Sequence, residues 1–280
     1  MKIFISADIE GITGLVSWSQ CGRPDGEHFD FSFARRMMTH DVNAAIRGAQ
    51  AAGATQILIK DSHGNSKNLL IDELEPGVEL VSGHGSGIDG MMQGIDETFE
   101  AAILIGYHAR AGTATGIMEH TITGGIHRLT VNGTECGEMG LSAGVAGRFG
   151  VPTVFASSDA AGCKEFENLI PGTKTVEVKE GYGRFMGRLL HPSTTGRAIE
   201  KGVSEAIRDR SRVKPLAWDE PAKIRIEFNR AEEADMGAKL PNVTRVDGYS
   251  IEIERDTYLE AHRVAWNLVA MSFEGIGSQK

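Results

Sequence analysis

The sequence predicts an α/β fold: a layered sheet with mainly parallel strands flanked by helices, followed by a smaller C-terminal α+β domain. Three observations carry this expectation. Apolar runs ending at Ala7, Lys60 and Tyr107 each read as a strand and each runs straight into a polar cluster. Helical periodicity fills residues 33–52, between the first run and the second, as a βαβ unit requires. Beyond Pro215 the order changes to short strands and helices, which places the division at residues 1–215 for the larger domain and 216–280 for the smaller.

The first strand leads into Ile5-Ser6-Ala7-Asp8-Ile9-Glu10-Gly11. Strand side chains alternate faces, so Asp8 and Glu10 project to one side while Ile9 stays in the core, and Gly11 lets the chain turn away without a side chain in the pocket. A loop-like tract containing Gly22-Arg23-Pro24-Asp25-Gly26 precedes the helix over 33–52, whose apolar face carries Met37, Met38, Val42, Ala45, Ile46 and Ala49 and which Gly53 closes. The strand at 56–60 is followed at once by Asp61-Ser62-His63-Gly64-Asn65. A strand near 78–81, a helix-like segment ending around Phe99 and the strand at 101–107 repeat the pattern and deliver His108-Ala109-Arg110. Sites in open α/β sheets form outside the carboxyl ends of the strands, so these three tips are expected to converge.

Residues 112–125, rich in Gly and Thr, read as an active-site loop with Met118-Glu119-His120 in its middle. Alternation over 127–131 and the turn signal Asn132-Gly133 predict a hairpin. Glu138 then opens a helix running to Phe149. Residues 151–157 form a buried strand, Asp159 caps the next helix, whose polar face carries Lys164, Glu165 and Glu167, and 174–178 is a more polar strand. An amphipathic helix is predicted over 192–212, with Ile199, Val203, Ala206 and Ile207 on one face and Pro215 as its stop. The C-terminal part reads as a strand (224–228), a helix (230–236), short strands around 243–246 and 249–253, and a final helix over 256–273.

Composition narrows the function. With 29 basic against 38 acidic side chains and a formal net charge of -9, a nucleic-acid groove or an anionic membrane surface is disfavoured as the partner, and small molecules or peptides fit better. Cys21, Cys136 and Cys163 are odd in number and show no CxxC spacing, so neither a disulfide framework nor a thiolate zinc site is suggested, and a reducing cytoplasm is the expected location. No run approaches the length needed to span a bilayer.

Two carboxylates as close as Asp8 and Glu10 repel unless one takes up a proton or a cation sits between them. Of the nine histidines, His63 and His108 stand out because each follows an apolar strand, whereas His28, His40, His191 and His262 lie in loops or on helix faces. A mixed set of carboxylates and imidazoles suits zinc, manganese or iron better than calcium. Glu138, between glycines at a helix start, is either a further ligand or a residue that stabilises the helix dipole. His120 is a ligand, a proton donor or a solvated side chain; the pattern alone does not choose. His84 and His127 read as structural, Arg110 as a carboxylate binder or a surface ion pair, and Gly85-Ser86-Gly87 as too slight for a phosphate loop.

Ser6-Ala7-Asp8-Ile9-Glu10-Gly11, Asp61-Ser62-His63, Gly106-Tyr107-His108-Ala109-Arg110, Met118-Glu119-His120 and Gly137-Glu138-Met139-Gly140, in this order, resemble the D-aminopeptidases of the dipeptide-transport operon type. Leu169-Ile170-Pro171 and Val213-Lys214-Pro215-Leu216 look like the same family, so the likeness spans nearly the whole chain. The resemblance implies a site of two zinc ions per subunit, with Asp8 as bridging ligand, Glu10 and His63 on one ion, His108 and Glu138 on the other, and His120 as the catalytic residue. It also implies a ring-like homo-oligomer whose active sites face an inner channel, acting on short peptides. The expected activity is removal of an N-terminal residue, of D configuration, from di- or tripeptides or amino-acid amides. Two other readings of the same residues stand beside it: a dinuclear metallohydrolase of another bond such as a phosphoester, and a non-enzymatic protein whose metal only fixes the fold.

Overall fold

The computed structural model describes residues 1–21, 30–83 and 89–277, with side chains through residue 269. Gly22-Arg23-Pro24-Asp25-Gly26, His28, His84 and Gly85-Ser86-Gly87 lie outside the described residues. The first half of the chain forms β1 (Lys2–Ala7), α1 (Phe31–Ala51), β2 (Gln56–Asp61), β3 (Glu79–Val81), β4 (Ala101–Ile105), β5 (Ile126–Val131), β6 (Thr134–Glu135) and α2 (Glu138–Arg148). The second half forms β7 (Thr153–Asp159), α3 (Ala160–Leu169), β8 (Lys174–Gly183), β9 (Met186–Leu189), α4 (Pro192–Arg208), β10 (Ala222–Phe228), α5 (Ala231–Gly237), β11 (Thr244–Arg245), β12 (Ser250–Arg255) and α6 (Tyr258–Gly277).

Seven strands make the main sheet in the order β3-β2-β1-β4-β7-β8-β9, parallel except for the β8–β9 pair. The central strands are covered on both faces: Ile3, Phe4, Ile5, Ala7 and every residue of β4 are fully buried, which is why these strands read as unbroken apolar runs. Register sets the geometry of the site. Ala7 lies opposite both Asp61 and Ile105, so β1, β2 and β4 end level with one another and hand over to their loops side by side.

A second, wholly antiparallel sheet has the order β11-β12-β10-β5-β6. It combines three strands from beyond residue 215 with the β5–β6 hairpin, whose two-residue turn puts Asn132 at φ 49° and Gly133 at φ 82°, as the Asn-Gly signal required. Helix α2 packs on β4 and β7 and against α6, while α6 lies on β10 and β12, so these helices form a layer between the two sheets. Helices α1 and α4 pack against each other and on the main sheet.

Four elements differ from expectation. The helix-like stretch before Phe99 contains only a 3₁₀ turn, Gly90–Met92, among its described residues. Gly90 and Gly94 take φ of 57° and 103° and interrupt the helix, although Met91, Met92, Ile95 and Phe99 are buried and supplied its apolar spacing. Helix α4 stops at Arg208 and gives way to a 3₁₀ turn, Arg210–Arg212, where Arg210 donates to the Ile207 carbonyl at 3.2 Å. Strand β8 continues to Gly183 and turns back as β9, a hairpin that the glycines and charges of this stretch conceal. Glu165, expected on a solvated face, turns inward and accepts a hydrogen bond from the Arg110 backbone at 2.8 Å. No helix of the described residues is long and apolar enough to cross a membrane.

Candidate metal centre

The level strand ends bring the expected residues together. Asp8 and Glu10 follow β1, His63 follows β2, His108 follows β4, and Glu138 is the first residue of α2; all but half-buried His63 are nearly inaccessible to solvent. Gly11 serves a tighter purpose than a free turn. Its amide donates to the Gly106 carbonyl at 2.7 Å, and a Cβ there would stand 1.7 Å from the Tyr107 carbonyl oxygen. Only glycine lets the extension of β1 cross the tip of β4 this closely.

Asp8 divides its carboxylate between two imidazoles. Its Oδ1 lies 3.4 Å from His63 Nδ1 and its Oδ2 lies 3.5 Å from His108 Nε2. His63 Nδ1 is also 2.9 Å from Glu10 Oε2, and His108 Nε2 is 3.2 Å from Glu138 Oε1. His120 Nε2 faces Glu138 Oε1 at 3.6 Å and Glu10 Oε1 at 4.0 Å. Yet Asp8 Oδ2, Glu10 Oε2 and His108 Nε2, all buried, make no hydrogen bond of acceptable geometry despite these short approaches.

That arrangement fits a divalent cation. Ligand bonds of about 2.0–2.1 Å at tetrahedral angles place neighbouring donor atoms about 3.3 Å apart, the spacing found among these atoms. His108 Nδ1 is 3.0 Å from the Ala109 carbonyl, which can only accept, so the proton sits on Nδ1 and the Nε2 lone pair points at two carboxylates. Lone pairs so disposed need positive charge between them. Two ligand groups suit an ion within the described residues: Asp8, Glu10 and His108, and His108, His120 and Glu138.

The electrostatics express the same demand through protons. Burial, then the neighbouring Glu10 charge, pushes the Asp8 carboxyl up to about 7. Burial would also raise Glu10, but the charge and hydrogen bond of His63 hold it well below the usual range. Glu138 is likewise held low against burial by His108. For His108, burial is outweighed by Glu138 and Asp8, which raise the imidazole to about 10; Glu10 and Asp8 raise His63 well above its usual value in the same way. His120 goes the other way, to about 4, because burial and the His108 charge outweigh the more distant carboxylates.

His120 is held by a strained loop. Its Nδ1 stands 2.9 Å from the Met118 carbonyl, which keeps the proton on Nδ1 and the lone pair on Nε2, toward the cluster. Met118 and Ile122 on either side take φ of 54° and 63°, left-handed values rare for a residue with a side chain and rarer for a β-branched one. The Ile122 amide donates to Glu138 Oε1 at 2.7 Å, so the loop is tied to the site it serves. Trp18 meets the His120 ring edge-on at 5.2 Å.

Beneath the cluster lies a polar frame with no motif to announce it. Ser6 Oγ donates to the Met91 carbonyl at 2.8 Å and stands 2.7 Å from both Ser62 Oγ and the Tyr107 hydroxyl, which in turn reaches Ser142 Oγ on α2 at 3.2 Å. This frame joins the four segments that supply Asp8, His63, His108 and Glu138. Buried Lys179 donates to the carbonyls of Glu10 at 2.5 Å and Leu15 at 2.8 Å, burial drawing its pKa down to about 8. Asp61 stays outside the cluster, accepting from the amides of Asn68 and Leu69 at 2.6 and 2.8 Å. Arg110 pairs with Glu135 and does not line the cavity; His127 is exposed near Asn229.

The cluster opens into a cavity of about 540 Å³, walled by the loops after β1 and β2, the residues around Gly90, His120, Ile122, Thr123 and Trp266 of α6. Its size is that of a small-molecule pocket.

An α/β protein with a buried set of carboxylates and imidazoles at the carboxyl ends of its central strands belongs, by fold and site, with the metallohydrolases. The chain belongs to the D-aminopeptidase family, whose model matches residues 1–266. A D-aminopeptidase of Bacillus subtilis (strain 168) is 33% identical over 269 residues, covering 94% of both chains. Among solved structures, the chain is similar to the Zn-dependent D-aminopeptidase DppA from Bacillus subtilis, described as a self-compartmentalizing protease, with a TM-score of 0.93, 31% identity and 98% of each chain covered.

Proposed function

We propose that the chain is a zinc-dependent D-aminopeptidase that removes the N-terminal residue from short peptides and amino-acid amides. In this reading two zinc ions per subunit are held by bridging Asp8, by Glu10 with His63, and by His108 with Glu138, and His120 is the catalytic residue. The observation that carries it is the division of Asp8, whose two oxygens face the imidazoles of His63 and His108 at 3.4 and 3.5 Å. Zinc bound there polarises a scissile carbonyl and lowers the pKa of water toward neutrality.

The protein's own residues do the rest. With Asp8, Glu10 and Glu138 at the cavity floor holding the metal, the free amino end of a peptide would be received at that centre, which makes the enzyme an exopeptidase. His120 stays neutral at neutral pH with its Nε2 lone pair toward the cluster, so in the resting enzyme it serves as base or nucleophile; it can protonate a leaving amine only after taking up a proton. We take residues 1–215 as the metal-binding catalytic part, with its β5–β6 hairpin joining the second sheet, and Trp266 of the C-terminal part walls the cavity. A ring-like homo-oligomer belongs to the same proposal, supported by the self-compartmentalizing relative. So does a cytoplasmic location, in keeping with three cysteines that are free and buried.

The test is a panel of D- and L-dipeptides and amides beside a generic phosphoester, with zinc content measured. The expected result is hydrolysis of D-configured peptides, abolished by chelation with the fold intact and restored by zinc. Cleavage of the phosphoester alone overturns the proposal, as does unfolding on chelation with no hydrolysis of any peptide.

A further inference from the structure

The cavity holds three carboxylates but, among its described lining residues, a single Lys or Arg: Lys60. In parallel register Lys60 lies opposite Ser6, and Ser62, two residues on, touches Ser6. Lys60 therefore leaves the sheet on the face that carries the polar frame below Asp8. It is only 5% exposed.

A charge so buried is costly unless it is paired, and Lys60 forms no ion pair among the described residues. Its ammonium donates to the Asp61 carbonyl and to Ser66 Oγ, the latter at 2.8 Å, leaving one of its three donors without a partner among the described residues. The Asp61 carboxylate, which supports the charge electrostatically, is itself occupied by the amides of Asn68 and Leu69 and by Asn68 Nδ2. Ser66, having accepted from Lys60, keeps its hydroxyl proton to give. One wall of the cavity thus presents an unpaired cation with a hydroxyl donor beside it, while the floor presents carboxylates.

An aminopeptidase substrate brings its amino end to the metal ligands, and a free dipeptide brings one carboxylate at its other end. Without a cation of its own that carboxylate would compete with the scissile carbonyl for the metal centre, and Lys60 is the cation the cavity offers it away from the ligands. We propose that Lys60, assisted by Ser66, is the subsite for the free C-terminal carboxylate of a dipeptide substrate, and so sets a preference for dipeptides with an unblocked carboxyl end. The proposal rests on the aminopeptidase reading above. It also assigns to Lys60 the role that the sequence offered to Arg110.

The experiment compares one D-configured dipeptide as the free acid and as its C-terminal amide, in the wild type and in Lys60→Met, with zinc content and thermal melting measured on both proteins. In the wild type the amide has the higher KM, by about 10-fold or more; equal KM values overturn the proposal without recourse to any variant. Lys60→Met lowers kcat/KM for the free acid by about 10- to 100-fold, chiefly through KM, and changes the amide by less than about 2-fold. An equal loss on both substrates makes Lys60 a brace for the turn between Asp61 and Ser66 and overturns the subsite, as does no loss on either. A wild type that cleaves neither substrate refutes the aminopeptidase reading itself and takes this proposal with it.

Discussion

The rings of His108 and His120 stack with centroids 3.9 Å apart and planes within 10° of parallel. Stacking gives the two imidazoles opposite tasks. His108, between Asp8 and Glu138, carries positive charge or a metal ion; His120, pressed against it and buried, is driven neutral.

In the proposed site His120, neutral and with its lone pair inward, acts as the reactive group, although it also stands with His108 and Glu138 in one of the ligand groups. Its replacement by Ala is expected to lower kcat by about 10²- to 10⁴-fold with zinc content unchanged. Single-turnover kinetics alongside elemental analysis check this. Loss of zinc in step with activity would move His120 from chemistry to metal binding.

The division of Asp8 predicts unequal effects on metal content. Asp8→Ala, removing the residue that bridges the two ions in the proposed site, is expected to leave less than about one zinc ion per chain after dialysis, whereas Glu138→Ala retains about one. Mass spectrometry of the native proteins reads the stoichiometry directly. Equal loss in the two variants would sink the bridging role.

How much of this was legible follows from where each residue sits. Asp8, Glu10, His63 and His108 could be found because polar residues at the ends of apolar strands break a pattern, and parallel strands share a carboxyl edge. Glu138 and His120 had no such pattern; a helix start and a Gly-rich loop admit several roles, and their place came from the family resemblance. Ser6, Tyr107, Ser142 and Lys179 were silent because their partners lie far along the chain: Ser6 meets Tyr107, and Lys179 meets the Glu10 carbonyl. Pairing across such distances is a property of the fold. The missed β8–β9 hairpin and the 3₁₀ turn at Gly90–Met92 have local causes, since glycine rewrites backbone conformation without altering the apolar spacing.

The crossing at Gly11 is expected to tolerate nothing larger. Gly11→Ala forces backbone apart between β1 and β4 and should cost about 3 kcal/mol or more, with loss of bound zinc. Gly124→Ala is the control, since a Cβ there meets nothing within 4 Å, and it should stay within about 0.5 kcal/mol. Urea unfolding of both proteins makes the comparison. Matching midpoints would show that the strand ends yield more easily than their contact implies.

The last prediction concerns pH and lies outside the cluster. His262 is buried between Tyr258 and Trp266, each ring 5.9 Å away, and its Nδ1 has no hydrogen-bond partner among the described residues. Burial lowers its pKa from 6.5 to about 4, Asp89 opposing and Arg263 assisting. The unfolded chain therefore binds a proton at His262 between these values while the native protein does not. The stability due to neutral His262 is present above pH 6.5 and is lost as pH falls toward about 4, at about 1.4 kcal/mol per pH unit and about 3 kcal/mol in all. His262→Phe removes this one titration, so the difference in unfolding free energy between variant and wild type should shift in favour of the variant by about that amount from pH 7 to pH 4. Titrations shared by the two proteins, those of the metal cluster included, cancel in the difference. Parallel stability curves across the range would mean that the native protein lets His262 take up its proton.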